Sequence, residues 1–441
     1  MSFPNLKRVP LALAAMAACM SAHAGYTSPD GKFILSGFGT IGAVTTDNDD
    51  VLFQVPGQGG GAGETPNLNV DSKVAVQGTY KLTNTISGTA QVLTKYGADG
   101  SYSPEFEWAF AKWQALPSLA VRAGRMGAPL FMVSDFRDVG YANLTVRPSL
   151  DVYGQVPFSA FNGLDLTWQK SAGSLTFTTQ LWAGNAKKDY AVVGVDAAGK
   201  RSRNEATFEV NDQIGLNIVA ESDAGITFRL GHNQGKMSIS AGRFDDLRNG
   251  ANLAATTLAG APLPTYQAMA PQFAAVAGLV TVDEVDASFT GLGVSIDRDN
   301  WVGSLEFTKR KTDSYVADST GWYALVGHRF GAFTPYVGYS KLKTDRTESS
   351  PLTPSAIAVV DGSIPGAGTQ ISAGLDSVLA PQSFDETTST LGVRWDATTG
   401  VALKAQWDHV KPKGEAGLFT GARAYDGKAV NVLTLAVDFV F

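Results

Sequence analysis

From Phe33 to the C-terminus, apolar and polar side chains alternate in segments of about ten residues that are separated by turn-forming residues. In one segment Val74 and Val76 lie on one face, and Lys73 and Gln77 lie on the other. A period of two places successive side chains on opposite faces of a β-strand, whereas a helical face repeats every three to four residues. The pattern therefore predicts an all-β chain whose strands each have one apolar face.

The connections between these segments alternate between short and long, as in a transmembrane antiparallel β-barrel. The pattern gives sixteen strands, and the first, at about 33–46, and the last, at 428–441, can pair and close the barrel. Short turns are expected near 82–85, 115–118, 171–174, 222–225, 297–300, 331–332 and 397–400. Long external loops are expected at 47–70, 97–104, 127–160, 186–207, 236–282, 312–318, 346–384 and 414–427.

Two segments fit this pattern poorly. Residues 319–331 show no clean alternation, which leaves a β-bulge or another assignment open. Residues 268–282 are apolar enough for a short helix, and they lie in the longest predicted loop, 236–282. A loop of that length needs structure of its own or a function.

The composition agrees with a barrel and argues against other classes of protein. Of the 441 residues, 44% are hydrophobic and only 17% are charged, and the mean hydropathy is −0.02. A protein with lipid outside and water inside should average near neutral hydropathy, while a typical soluble enzyme carries roughly 25% charged residues. The formal net charge of −6 gives no support for nucleic acid as a partner.

The first 24 residues resemble a secretory signal peptide. Lys7 and Arg8 supply the positive start, residues 11–20 form an apolar core too short to span a bilayer, and Ala22-His23-Ala24 is a small-x-small cleavage site. Lipoprotein processing at Cys19 is the alternative. Cys19 is the single cysteine, so a mature chain without it has no thiol chemistry. We therefore expect a signal peptide at 1–24 and one barrel domain at 25–441.

The C-terminus carries the most specific local signal. Leu433, Leu435 and Val437 share a face with Phe439 and Phe441, and the chain stops on the last of these aromatics. A final amphipathic strand that ends on an aromatic resembles the assembly signal of Gram-negative porins. Together with the strand count, the signal peptide and a long third loop, it makes the chain similar to the sixteen-stranded porin superfamily.

This resemblance implies a cellular setting and a set of partners. It implies an outer-membrane barrel in contact with lipid and lipopolysaccharide, inserted by the barrel-assembly machinery and assembled as a homotrimer. It also implies that the third loop folds into the barrel and narrows the pore. That pore would serve the passive diffusion of small hydrophilic solutes.

The third predicted loop and its flanks are rich in charges of both signs. Rings of fixed charge in a narrow aqueous path select ions by sign and size, so these side chains are candidates for a pore constriction. The alternative is that they only pair with one another and hold an external loop. The candidate residues are Arg122, Arg125, Asp135, Arg137, Asp138, Arg147 and Asp151.

Further charged residues lie on the polar face of their strands, which is the face predicted to line the lumen. Solvation of a water-filled interior is sufficient to explain them, and a weak anion preference is the sharper hypothesis. The acids Glu306 and Asp408 share this phase, so the ion preference stays open. The candidate lumen-lining bases are Lys73, Arg229, Arg310, Arg394 and Lys404.

The sequence favours a channel over an enzyme. It contains no Ser/His/Asp set, metal-binding histidine motif or paired catalytic carboxylates that stands out. We therefore expect a porin that needs no cofactor and passes small hydrophilic solutes and ions. A substrate-selective outer-membrane channel and a plugged structural or adhesion barrel are the alternatives.

The signal peptide should be cleaved between Ala24 and Gly25, because small residues at Ala22 and Ala24 fit the narrow subsites of signal peptidase. N-terminal sequencing of the membrane-inserted protein should therefore begin at Gly25. A lipidated start at Cys19 would contradict this prediction.

Overall fold

The computed structural model describes residues 25–441 except 196–198, 384, 414–415, 424 and 426. The predicted signal peptide, its cleavage motif and Cys19 lie outside the described residues. The structural statements that follow concern the described part of the chain.

Seventeen β-strands form one antiparallel sheet in this part of the chain. A two-residue strand pairs with Leu35 and Ile34, and the other sixteen each pair with the next along the chain. The last strand pairs with the first long one, from Val432 opposite Thr46 to Val440 opposite Phe38, so the barrel is closed. The strands are β1 (Tyr26–Thr27), β2 (Phe33–Thr46), β3 (Lys73–Lys81), β4 (Ile86–Tyr96), β5 (Tyr102–Leu116), β6 (Leu119–Gly127), β7 (Ala160–Ala172), β8 (Leu175–Val195), β9 (Arg201–Ser222), β10 (Ile226–Ser240), β11 (Val282–Arg298), β12 (Trp301–Thr312), β13 (Asp318–His328), β14 (Phe333–Arg346), β15 (Glu386–Thr398), β16 (Val401–Pro412) and β17 (Val430–Val440).

The alternation in the sequence separates an apolar exterior from a polar interior. In β7, Leu164 is 59% exposed and points outward, while the adjacent Asp165 is only 2% exposed and points inward. Leu181 and Leu292 are likewise exposed on their strands, as side chains that face lipid should be. The predicted sixteen-stranded barrel is confirmed.

The seam that closes the barrel depends on two aromatic rings and two glycines. Phe439 lies opposite Gly39, and the main chain of Phe441 exchanges hydrogen bonds of 2.7 and 2.9 Å with Gly37. A Cβ atom at Gly37 would lie 2.3 Å from the ring of Phe441, and one at Gly39 would lie 2.4 Å from the ring of Phe439. The glycines therefore leave the space into which the terminal aromatics pack.

One predicted loop is wrong. The segment 186–207 is not a long loop, because β8 continues to Val195 and β9 already begins at Arg201. This hairpin extends beyond the apolar part of the barrel, and surface ion pairs such as Lys187 with Glu209, at 2.7 Å, replace the apolar face there. A hairpin whose outer face lies in water carries no lipid-facing pattern, so the alternation did not predict these parts of the strands.

The segment without clean alternation, 319–331, includes a regular strand, β13, whose one register shift lies at its first residue. Tyr323 and Leu325 point inward there and pack against the apolar cluster of the third loop. Both faces of this strand are therefore apolar, which explains why apolar and polar residues do not alternate in its sequence.

Helices cover the loop end of the barrel. The helix expected within 268–282 is present at Ala270–Leu279, but two other helices in the same loop and two in the loop 347–385 were not predicted. The buried side chains of these loops, including Leu258, Phe273 and Leu375, form one apolar cluster. No helix in the described residues is long and apolar enough to cross a membrane. The helices are α1 (Leu150–Tyr153), α2 (Gly242–Ala259), α3 (Pro264–Gln267), α4 (Ala270–Leu279), α5 (Pro354–Ser363) and α6 (Ala367–Leu379).

Replacing Phe441 with Asp should reduce the amount of folded barrel in the membrane, because the change removes the ring that fills the space over Gly37 and puts a charge at the seam. Heat-modifiable migration on unboiled gels measures the folded fraction. Phe441→Trp keeps an aromatic ring and serves as the control. Wild-type levels of folded Phe441→Asp protein would contradict the prediction.

Candidate functional site: the third loop inside the barrel

The third loop, residues 128–159, leaves the wall between β6 and β7 and lies within the barrel. Its base is closed by a hydrogen bond of 2.8 Å from the amide of Ala128 to the carbonyl oxygen of Ser159. Two 3₁₀ turns and the short helix α1 shape the loop, and its side chains Phe131 and Tyr153 stack with ring centroids 4.4 Å apart. Phe131 also meets Phe289 of β11 edge to face, so the loop has an apolar anchor on the wall.

Basic side chains of the wall donate hydrogen bonds to the backbone of this loop. The Lys404 ammonium donates to the carbonyl oxygens of Gly140, Asn143 and Thr145 at 2.7, 2.7 and 2.8 Å. The Arg394 guanidinium donates to the carbonyl oxygens of Tyr141 and Asn143 at 2.7 and 3.0 Å. Carbonyl groups that would lack partners inside the lumen are thereby satisfied.

The same arrangement recurs on the other side of the loop. The Arg310 guanidinium donates to the carbonyl oxygen of Gln155 at 2.7 Å, and the Arg229 guanidinium donates to that of Pro129. Four bases that the sequence placed in the lumen thus bind the loop backbone.

A carboxylate and an amide of the wall accept hydrogen bonds from the loop in turn. The Glu306 carboxylate, which is fully buried, accepts from the amide of Met132 at 2.8 Å and from the Tyr153 hydroxyl at 2.9 Å. The Gln406 side-chain oxygen accepts from the amide of Val146 at 3.0 Å. The loop is therefore held through both its donors and its acceptors.

Arg147 is the centre of a buried ionic network. Its guanidinium lies 2.5 Å from Asp71, at the end of the first loop, and 3.2 Å from Asp408 of β16, and it also donates to Thr434. The side chains of Arg147 and Asp71 are at most 6% exposed. Because an unpaired buried charge is costly, each of these two charges stabilises the other in the folded protein. This network joins the third loop to the first loop and to the barrel seam.

Asp138 anchors a second point of the loop. Its carboxylate lies 3.2 Å from the Lys73 ammonium and 3.0 Å from that of Lys95. Burial would raise the pKa of Asp138, but the charges of Lys95, Lys73 and the adjacent Arg137 hold it well below its ordinary value. Asp138 is therefore ionised, and it neutralises part of the positive charge of the wall.

Asp151 makes a different kind of contact. It is 1% exposed and accepts a hydrogen bond from the Ser340 hydroxyl of β14. Burial raises the pKa of Asp151, and the hydrogen bond from Ser340 opposes that rise. Asp151 therefore ties helix α1 of the loop to the barrel wall.

The remaining candidate residues of the constriction divide into two groups. Arg122 points inward and forms a bidentate contact with the buried Asp165, and Asp135 lies near its charge. Arg125 instead shares the outward-facing row of Ala109 and Asn162. Its guanidinium donates to the carbonyl oxygen of Phe106, so we leave Arg125 out of the proposed constriction.

A cavity of about 750 Å³ runs between the third loop and strands β9–β16. It reaches from Asp297 and Arg329, near the short turns, to Gln54 and Phe419, in the first and last loops. Its lining mixes carboxylates, guanidinium groups, hydroxyl groups and apolar side chains, as a solute path should. We call it the turn-side cavity.

A second cavity, of about 160 Å³, lies on the other side of the third loop beneath the long-loop end. Gln54, Leu418 and Phe419 line both cavities, so the two meet at these side chains. We call the second one the loop-side cavity. The residues at the meeting point are contributed by the first and last loops.

Several partners of the site are not among the residues that the sequence predicts. They are Asp71, which pairs with Arg147, Asp165, which pairs with Arg122, and Asp438, which lies 2.9 Å from the Lys404 ammonium. A charge on the lumen phase of a strand was the available signal for Asp165 and Asp438. No comparable signal marked Asp71, which lies in a loop.

Replacing Arg147 with Met should release the third loop, because Asp71 and Asp408 would keep buried charges without their partner, at a cost of about 3–5 kcal/mol. Trypsin should then cleave the folded barrel after Arg137, and thermal unfolding should begin at a lower temperature. The control is Arg329→Met, which removes an exposed pair with Asp297 worth about 0–1 kcal/mol. Equal protease resistance of the two variants would argue against the anchor.

Comparison with known proteins identifies the fold. No protein-family model matches the chain, and no curated protein matches its sequence. Among solved structures, Salmonella typhi OmpF in complex with daunomycin is 14% identical with a TM-score of 0.53 and covers 95% of this chain and 100% of its own.

Two further solved structures are similar. The outer-membrane channel DcaP of Acinetobacter baumannii is 10% identical with a TM-score of 0.52 and covers 95% of this chain and 100% of its own. An anion-selective porin from Comamonas acidovorans is 14% identical with a TM-score of 0.50 and covers 93% of this chain and 99% of its own. The protein is a closed sixteen-stranded β-barrel with the fold of the outer-membrane porins.

Proposed function

We propose that this protein is an outer-membrane channel through which small hydrophilic solutes and ions diffuse passively. The observation that carries the proposal is the turn-side cavity, a polar and charged path inside a barrel whose outer surface is apolar. A structural barrel has no need of such a path, whereas a channel requires one. The solute gradient drives the movement, so no cofactor is required.

The turn-side cavity favours cations in this proposal. Its three arginines, Arg147, Arg329 and Arg394, each form an ion pair with a carboxylate. Asp135 and Glu221 add negative charge that none of these pairs balances. A narrow path between low-dielectric walls makes such charges effective, because salt screens them less there than on an open surface.

A substrate-selective channel is the second candidate, and the cover over the lumen favours it. Leu52 and Thr420 exchange backbone hydrogen bonds of 2.8 and 3.0 Å, which join the first loop to the last. The tip of the β8–β9 hairpin joins them, because the amide of Gly421 donates to the carbonyl oxygen of Val193 at 2.8 Å. A solute passing from the loop end must move past this cover.

The setting proposed for the channel follows from its porin fold. The barrel would be inserted in the outer membrane by the barrel-assembly machinery, with lipid and lipopolysaccharide against its apolar surface. A homotrimer is the proposed assembly, and chemical crosslinking of membranes tests it. A plugged structural or adhesion barrel is the outcome that would replace the channel if the purified protein does not conduct.

Purified protein in a planar lipid bilayer should give discrete conductance steps and a cation-selective reversal potential in a salt gradient. Asp135→Asn should shift that potential toward anions, because the change removes from the turn-side cavity a carboxylate that forms no ion pair with the described residues. Arg125→Gln is the matched control and should leave the potential unchanged, since Arg125 points outward.

Two results would contradict these proposals. Absence of conductance from folded protein would reject the channel and favour a plugged barrel. An unchanged reversal potential in conducting Asp135→Asn protein would reject the proposed origin of cation preference and leave the channel itself standing.

A further inference from the structure

The loop-side cavity has a chemical character opposite to that of the turn-side cavity. Its floor is the third loop at Gln155, and helix α2 contributes Arg243 at its N-terminus. Strand β12 contributes Arg310, and the hairpin β8–β9 contributes Tyr190. Four separate parts of the chain therefore enclose one small chamber.

Positive charge dominates the lining of this chamber. Among the described residues that line it, Arg243 and Arg310 are the bases and Glu205 is the single acid. The Glu205 carboxylate is already engaged, 2.9 Å from the Arg203 guanidinium. Arg310 already donates to the carbonyl oxygens of Gln155 and Ala317, so an anionic group that enters the chamber meets Arg243 as its principal base and no free carboxylate of these lining residues.

Arg243 is the base best placed to hold such a group. It is half-buried, and its guanidinium lies 5.3 Å from the ring centroid of Phe244, the next residue. Phe244 in turn packs edge to face against Tyr315, at 5.9 Å between ring centroids. These aromatic contacts orient the guanidinium without neutralising it, so its charge is available to an anion.

One part of the chamber wall is an apolar patch, and hydroxyl and amide side chains such as Ser319 and Gln382 line other parts of it. Phe208, Ile239, Leu342 and Val378 line it, and the last three are each at most 7% exposed. A chamber of about 160 Å³ is close to the size of an engineered apolar cavity of about 150 Å³ that holds benzene. The space therefore suits one six-membered ring and not a sugar chain or a peptide.

We propose that the loop-side cavity binds a small aromatic monocarboxylate, with the carboxylate on Arg243 and the ring against the apolar wall. A compound whose second charged group lay against Phe208 and Leu342 would find no hydrogen bond at those two side chains. A neutral aromatic compound would leave the guanidinium without its anion. The inference deepens the proposed channel function by naming a solute class that is held above the third loop.

Isothermal titration calorimetry of the full mature protein in detergent, with benzoate as the probe, tests the site. Wild-type protein should bind one benzoate per chain saturably. Arg243→Gln should weaken binding roughly tenfold or more, because it removes a charge-assisted hydrogen bond. Arg248→Gln is the matched control on the same helix and should bind like wild type, since Arg248 is exposed and pairs with Asp245 at 2.6 Å.

Two analogues separate the contributions of ring and charge. Benzyl alcohol, which keeps the ring and lacks the charge, and acetate, which keeps the charge and lacks the ring, should both bind more weakly than benzoate. Absence of saturable benzoate binding to folded wild-type protein, or equal affinities of Arg243→Gln and Arg248→Gln, would overturn the assignment.

The binding experiment and the conductance experiment can contradict their two proposals separately. Saturable benzoate binding by protein that never conducts would reject the channel and leave the site in place. Conducting protein without benzoate binding would reject the site and leave the channel in place.

Discussion

Basic side chains of the wall and backbone carbonyl oxygens of the third loop satisfy each other's hydrogen bonds, and the shape of the lumen depends on these contacts. Lys404 and Arg394 together bind four carbonyl groups between Gly140 and Thr145. A buried cation and a carbonyl group away from water are both costly when unpaired. The basic side chains and the carbonyl groups therefore hold each other in place, and these contacts keep the third loop in one position across the barrel.

This confinement divides the interior into two unlike compartments. The larger one, beside the loop, carries the carboxylates of Asp135 and Glu221, which form no ion pair with the described residues, while the smaller one above it carries the guanidinium group of Arg243. Most other charged side chains of the lumen form ion pairs or hydrogen bonds that hold the third loop, as Asp138 and Arg147 do. We expect the solute and ion selectivity to come from the few charged side chains that do not anchor the third loop.

The barrel could be predicted from the sequence because its pattern is local. Within each strand, the alternation of apolar and polar residues indicates which side chains face outward and which face the lumen. The site could be predicted only in part, because its partners are distant along the chain. Arg147 and Asp408 are 261 residues apart, and nothing local indicates their pairing. The outward direction of Arg125 could have been predicted, because the alternation in β6 places it on the face opposite Arg122. The length of the β8–β9 hairpin could not, because its ends lie beyond the lipid-facing alternation.

Hydrogen–deuterium exchange of the folded barrel tests the central claim most directly, namely that the wall holds the third loop. The amides of Met132 and Val146 donate to wall side chains inside the lumen, so peptides from 128–159 should exchange slowly, as the strands do. The largely exposed segment 347–350 supplies a fast-exchanging reference. Exchange of residues 128–159 as fast as that reference would contradict the account.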